Sequence, residues 1–217
     1  MAHQAYIIAA VLLLVCCTLA NWPVLQAADP ELLTDFSPPA NGAPVNASFF
    51  TNHDLQGPFL STPSKGELFV DVTLANVMNF PALNGLGVST ALLLFSPGAV
   101  NPPHTHPRGT EVIFVIEGCL DVGLVLSNTT LFTQTLNPGD LFVFPRGLVH
   151  FQINWGKNYQ EVKAFASFSS AAPGLVRLPN VLFKSGISDD ILAQSFGVSP
   201  NIIETLKAGD VENPPAK

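Results

Sequence analysis

Gly98-Ala-Val-Asn-Pro-Pro-His104-Thr-His106-Pro-Arg-Gly-Thr-Glu111 is the stretch whose reading decides the fold and what its interior holds. It is answered by Pro145-Arg-Gly147-Leu-Val-His150, a second short turn that ends in histidine. The chain has only five histidines, and three of them gather with one glutamate around these two Pro/Gly turns. Residues two apart on a strand point to the same side, so His104 and His106 can face one ion. The Pro107-Arg-Gly109 turn then reverses the chain, Glu111 opens the next strand close enough to supply an oxygen, and His150 starts another strand. Three imidazoles and a carboxylate brought together read as a metal-ligand set.

An octahedral ion would keep open positions beside these four ligands, which suits Mn(II) or Fe(II) and an exchangeable small substrate. Tetrahedral zinc would be filled by the four and would serve the fold alone. The residues rank manganese and iron level, with zinc as the closed alternative. His53, inside Asn52-His-Asp54, reads as a solvated loop residue.

Outward from this stretch, the chain from Glu67 to Ser170 reads as strands punctuated by Gly, Pro and Asn. The runs are Leu68–Leu74, Val88–Phe95, Glu111–Glu117, Leu120–Leu126, Leu131–Leu136, Leu141–Phe144, Val149–Ile153 and Glu161–Ser167. An all-β barrel or sandwich follows. Ala91–Phe95, Val112–Ile116 and Leu141–Phe144 are apolar at consecutive positions, so these strands are expected to be buried on both faces. Another sheet or another subunit would cover the outer face, which points to an oligomer.

The ends are organised differently. Ile7 to Ala20 is an apolar run too short to span a bilayer comfortably, and small residues follow at Ala27 and Ala28. Residues 1–28 therefore read as a secretory signal peptide, with the mature chain starting near Asp29 and no membrane segment left after cleavage. Residues 29–66 form an irregular arm rich in Pro, Asn, Gly and Ser, with one helical turn expected at Pro30–Asp35. Residues 67–178 carry the barrel, and 179–217 the C-terminal helices and tail. Ser188 caps Asp189–Phe196, with acids in the first turn and Gly197 as the stop. Ser199 caps a second helix that opens with Pro200 and precedes Gly209. Two placements stand for these helices, clamped on a neighbouring subunit or packed on their own barrel. The tail Asn213–Lys217 reads as mobile.

Composition excludes several partners. Charged residues make up 12% and apolar residues 47% of the chain, ample material for a core. The formal charge of −7 comes without a Lys/Arg cluster, which argues against nucleic acid or an anionic membrane surface. Entry into the secretory pathway gives meaning to the sequons Asn46-Ala-Ser48 and Asn128-Thr-Thr130, the latter expected on a surface turn. Cys16 and Cys17 leave with the signal peptide, so Cys119 stands alone and reads as a small buried residue.

The pattern Gly98-(five residues)-His104-Thr-His106-(four residues)-Glu111-(six residues)-Gly118 resembles the first cupin motif. Gly139-(five residues)-Pro145-Arg-Gly147-(two residues)-His150-(three residues)-Asn154 resembles the second. Asn84-Gly-Leu-Gly-Val-Ser89, Pro102–Arg108 and Phe144–Phe151 are similar to plant germin-like proteins in particular. The resemblance implies a cupin jelly-roll β-barrel with manganese held by His104, His106, Glu111 and His150. It implies a secreted glycoprotein of the plant apoplast and cell wall, assembled as a hexamer of three dimers with the C-terminal helices in subunit contacts.

Two departures are visible. Germins usually carry a disulfide in the N-terminal arm, and residues 29–66 contain no cysteine. Oxalate-oxidising members place an asparagine on the strand after the Gly-Leu-Gly-Val-Ser motif, where this chain reads Thr90-Ala91-Leu92-Leu93. Asn84 is left as the candidate polar group of the pocket. Superoxide dismutase-like chemistry therefore ranks first, with superoxide as the small substrate. Oxalate oxidation is the alternative, with Arg108 as the nearby cation, and a non-catalytic structural, storage or receptor-like wall protein is the third reading.

Overall fold

The structure is a computed structural model that describes residues 29–30, 32–60, 68–156 and 160–209. The predicted signal peptide and the tail after residue 209 lie outside the described residues. Among the described residues, no helix is long and apolar enough to cross a membrane.

Among the described residues, ten strands form two antiparallel five-stranded sheets that face each other as a jelly roll. They are β1 (Val70–Ala75), β2 (Ser89–Phe95), β3 (Val100–Thr105), β4 (Glu111–Glu117), β5 (Leu120–Val125), β6 (Leu131–Leu136), β7 (Leu141–Phe144), β8 (Val149–Ile153), β9 (Val162–Phe168) and β10 (Val176–Arg177). One sheet runs β1-β2-β9-β4-β7, the other β10-β3-β8-β5-β6. The eight runs read from sequence recur as strands with ends shifted by at most two residues. β3 carries His104, which the sequence pairs with His106 as strand neighbours, but was not among those eight runs, and Pro102 and Pro103 are unusual inside a ladder. The ladder accommodates them where its register shifts, between Asn101 and His104, at a bulge that needs no N–H from either proline.

The core lies between the sheets. Ala91, Leu93 and Phe95 of β2, Ile113 and Val115 of β4, Leu120 and Val122 of β5, and Ala164 and Ala166 of β9 all point into it. These are alternate positions on each strand, as a one-sided core demands. The opposite faces divide. Leu92 and Leu94 of β2 are only 2% and 4% exposed. Leu92 shares a groove with Leu55, Gln56 and Phe59 from the arm, so the chain's own arm contributes to that cover. Leu141 and Val143 of β7 remain 64% and 50% exposed, and Phe114 of β4 is exposed too. Those strands are therefore not buried on both faces within one chain.

Helices occupy the ends: α1 (Gln56–Leu60), α2 (Leu178–Phe183), α3 (Asp189–Phe196) and α4 (Pro200–Ala208). The helical turn expected at Pro30–Asp35 is not found, since the described residues there form bends. Arm structure falls later, in a 3-10 turn at Ala47–Phe50 whose start is capped by the Asn46 side chain. Without an arm disulfide, Phe36, Phe49 and Phe50 pack against one another with centroids 5.0–6.0 Å apart. Ser188 caps α3 and Gly197 ends it in the left-handed region at φ 66°, as its sequence demands. Ser199 occupies the cap position of α4 but its side chain makes no capping bond. Leu192, Ala193 and Ile203 join α3 and α4 in a small cluster separate from the barrel core. Cys119 is half-buried, not fully buried, and its thiol lies 3.5 Å from the Asn137 Oδ1.

Candidate metal centre

His104 lies near the end of β3, His106 one residue past it, and His150 on β8, all on one sheet. Glu111 opens β4 on the facing sheet. His104 and His150 are direct cross-strand partners. Glu111 sits opposite Phe144 on one side and Phe168 on the other. The site is therefore closed by the packing of the two sheets, and each sheet alone holds an incomplete set. Among the described residues, the ligand atoms of His104, His106, Glu111 and His150 lie within 4.8 Å of one another, and all four residues are buried.

The aromatic neighbours of Glu111 fix the imidazoles. Phe144 stacks on His150 with centroids 4.3 Å apart and planes at 16°. Phe168 meets the His106 ring at 4.8 Å and 61°. Backbone carbonyls complete the orientation. Nδ1 of His104 faces the Pro102 oxygen at 2.8 Å, that of His106 the Gly174 oxygen at 2.5 Å, and that of His150 the Leu148 oxygen at 2.9 Å. A carbonyl oxygen can only accept, so each Nδ1 carries the proton and donates it. In the neutral ring each Nε2 is then a bare lone pair.

Those lone pairs meet a carboxylate. Nε2 of His106 and of His150 lie 3.0 and 3.2 Å from the same Glu111 oxygen, Oε2. Acceptor against acceptor at that distance is unfavourable unless a cation or a proton stands among them. Burial disfavours the protonated answer at His104. Its pKa falls to about 3, first through loss of water and then through the neighbouring His150. Burial pushes the Glu111 carboxyl up, but when His106 and His150 take up a proton at Nε2 their hydrogen bonds and charge outweigh burial and hold the group at about 2. An anionic oxygen and aligned imidazole nitrogens form a donor set that fits a divalent transition metal, with carbonyl partners behind each ring.

Two further polar residues stand behind Glu111. Gln152 is fully buried, accepts from the Asn101 amide at 2.7 Å and directs its own amide toward Glu111 Oε1 at 3.5 Å. Neither was singled out from sequence. Gln152 lies two residues past His150 on the same strand, so the period-2 rule that aligns the histidines was the available signal. Asn154 closes the end of β8. Its amide donates to the Phe95 and Gln160 oxygens at 3.2 and 2.8 Å, and its Oδ1 accepts from the Gly156 N–H at 2.9 Å.

The centre opens into a cavity of about 470 Å³. Ala91 and Leu93 from β2, with Val72, Leu74 and Phe168, make its walls largely apolar, while Asn101, Arg108 and Arg177 add polar groups. Arg108 is also a turn residue, its Nε donating to the Ala172 oxygen at 2.7 Å. Asn84 does not line this cavity. It is exposed, donates to Ser37 Oγ at 2.9 Å and borders a smaller pocket beside Asp29. Asn46 and Asn128 are both exposed, Asn128 in the turn between β5 and β6. His53 is exposed and its Nδ1 pairs with Gln56 Nε2 at 3.1 Å.

Comparison with known proteins agrees with this architecture. The Cupin family pattern matches residues 61–204. Germin-like protein 9-3 of Oryza sativa subsp. japonica is 43% identical over 206 residues, covering 92% of this chain and 95% of its own. Germin-like protein 9-1 of the same plant is 46% identical over 185 residues, covering 83% and 73% respectively. A solved structure of oxalate oxidase superposes with a TM-score of 0.74 at 34% identity, covering 83% of this chain and 97% of that one. With its paired motifs on β3–β4 and β8 and a relative matched over 95% of its length, this chain belongs to the cupin family, among the germin-like proteins.

Proposed function

We propose that the chain is a secreted, manganese-binding germin-like protein of the plant apoplast and cell wall with superoxide dismutase-like activity. The observation that carries this reading is the convergence of three Nδ1-protonated imidazoles and one buried carboxylate on a point that opens into a cavity. His104, His106, Glu111 and His150 would hold the ion. Nitrogen and carboxylate donors suit Mn(II), with Fe(II) and Zn(II) as the competing occupants. Manganese bound there would supply one-electron redox chemistry, turning two superoxide anions and two protons into dioxygen and hydrogen peroxide. The chain's own part is to fix the ligands, shield them within the barrel, and leave an approach for a small anion along a wall that includes Arg108.

Oxalate oxidation is the second reading, favoured by the likeness to oxalate oxidase. Ala91 and Leu93 offer oxalate no hydrogen bond from β2, which ranks it below dismutation. Assembly as a hexamer of three dimers belongs to the same proposal. The exposed Leu141, Val143, Ile191 and Phe196 are apolar surface that subunit contacts would cover.

Metal analysis and manganese EPR on protein secreted without added metal test the reading, with His104→Ala alongside. About one manganese per chain, lost in the variant together with dismutase activity while the assembly persists, is the expected result. Oxalate turnover would invert the ranking. Bound metal without turnover would leave a structural or storage wall protein, and zinc or no metal would sink the redox reading.

A further inference from the structure

Residues 169–174, within the 169–175 connection of β9 to β10, form a strap across one side of the candidate metal centre. Its last carbonyl, from Gly174, takes the His106 Nδ1 proton at 2.5 Å. Arg108 holds the middle, with its Nε 2.7 Å from the Ala172 oxygen and its backbone N–H bonded to the Pro173 oxygen at 3.0 Å. At the start of the strap, Ser89 Oγ donates to the Ser170 carbonyl at 2.7 Å. Ser169 is tied to Thr110 in both directions, and the Val77 N–H donates to the Ala171 carbonyl at 3.0 Å. A further anchor, and a charged one, comes from the far end of the chain. One carboxylate oxygen of Asp29 accepts from Ser170 Oγ at 2.6 Å, and the other accepts from the Ala171 N–H at 2.6 Å. Ser170 is 1% exposed, and its hydroxyl oxygen also accepts from the Ala172 N–H at 3.1 Å.

We propose that Asp29 is a positioning residue for His106, acting through this strap. Hydrogen bonds to an ionised acceptor are shorter and roughly twice as strong as neutral ones, and Asp29 makes two at adjacent strap residues. Few torsions separate that anchor from Gly174. Pro173 has a fixed φ, and Gly174 is held in the left-handed region at φ 72°. A shift at Ala171 therefore reaches the Gly174 carbonyl and tilts the imidazole that depends on it. The consequence for metal rests on the proposed metal-binding role of the site, whereas the coupling itself rests only on the hydrogen bonds. Leader removal after Ala28 would leave Asp29 in place, and removal of one residue more would take the anchor away.

The test uses the full secreted protein, its N terminus checked by mass spectrometry, as wild type, Asp29→Ala, Ser170→Ala and Asn84→Ala. Ser170→Ala breaks the same contact without touching the N terminus, and Asn84→Ala alters the neighbouring arm contact but not the strap. Hydrogen exchange of the metal-free protein is expected to quicken about tenfold in the peptide covering 169–177 in the first two variants, with β4 and β5 unchanged. Manganese loss to EDTA should quicken about tenfold in the same pair, the lower end of what loss of a ligand's supporting partner costs. Wild-type exchange in the strap and wild-type manganese loss in both variants would overturn the proposal. Failure of the wild type to bind manganese would instead sink the metal reading, with the strap exchange still deciding Asp29.

Discussion

His106 Nδ1 lies 2.5 Å from the carbonyl oxygen of Gly174, a residue 68 positions further along the chain. A ring that reads as part of a local His-Thr-His motif thus owes its orientation to a distant loop. Gly174 has φ 72°, and an added Cβ would come within 2.9 Å of Arg108 Nη2 and 3.0 Å of Pro107 Cγ. Gly174→Ala is therefore expected to weaken manganese binding about tenfold, by turning the carbonyl away from the ring. Competition titration against a chelator measures this, with circular dichroism to show an intact barrel.

The stack of Phe144 on His150 joins the core to the site. Phe144 is buried in the main cluster and paired with Glu111 across the sheet. Phe144→Ala should cost about 3–5 kcal/mol of stability through the cavity it leaves. Denaturant unfolding of the metal-free protein reads that loss, and manganese affinity should fall with it.

Acid should destabilise the metal-free protein in two stages of the same sign. His104 stays neutral when folded, with its pKa lowered from 6.5 to about 3, so between these values the unfolded chain binds the extra proton. Stability then falls as pH drops below 6.5. Glu111, lowered from 4.5 to about 2, adds a second loss as pH falls from 4.5 toward 2. Thermal unfolding at pH 7, 5.5 and 4 tests the first stage. His104→Gln should flatten the slope between pH 6.5 and 4.5, where Glu111 contributes little.

Gly123 on β5 leaves its cross-strand partner Phe151 to cover it, and an added Cβ would fall inside the space the ring occupies. Gly123→Val is expected to destabilise by about 1–3 kcal/mol through overpacking. A shifted denaturation midpoint with unchanged manganese content would place the damage in the sheet.

Asn128 stands exposed in the β5–β6 turn, beside Thr129 with φ 68°. In protein secreted from plant cells, Asn128→Gln should remove one glycan's mass, and Asn46→Gln a second. Intact mass before and after glycosidase treatment checks each site.

Local pattern was sufficient for most strands, for the cap and stop of α3, and for the clustering of His104, His106, Glu111 and His150. Apolar runs, turn residues and motif spacing are properties of neighbours in sequence, and His104, His106 and Glu111 lie within eight positions of one another. Local pattern misled where tertiary contacts overrode it. β3 runs through Pro102 and Pro103 because a bulge on β3 itself, opposite β8, absorbs them. The apolar runs of β4 and β7 leave Phe114, Leu141 and Val143 exposed within one chain, whereas Leu92 and Leu94 of β2 are buried as their run predicts. Only the folded chain could bring the Glu111 carboxylate from one sheet against histidines on the other, and seat Gln152 and Asn101 behind it. The links from Gly174 to His106 and from Asp29 to Ser170 span 68 and 141 residues. No periodicity records such pairs, because hydrogen bonds of that range are chosen by how the sheets and their loops pack, not by the residues beside them in the chain.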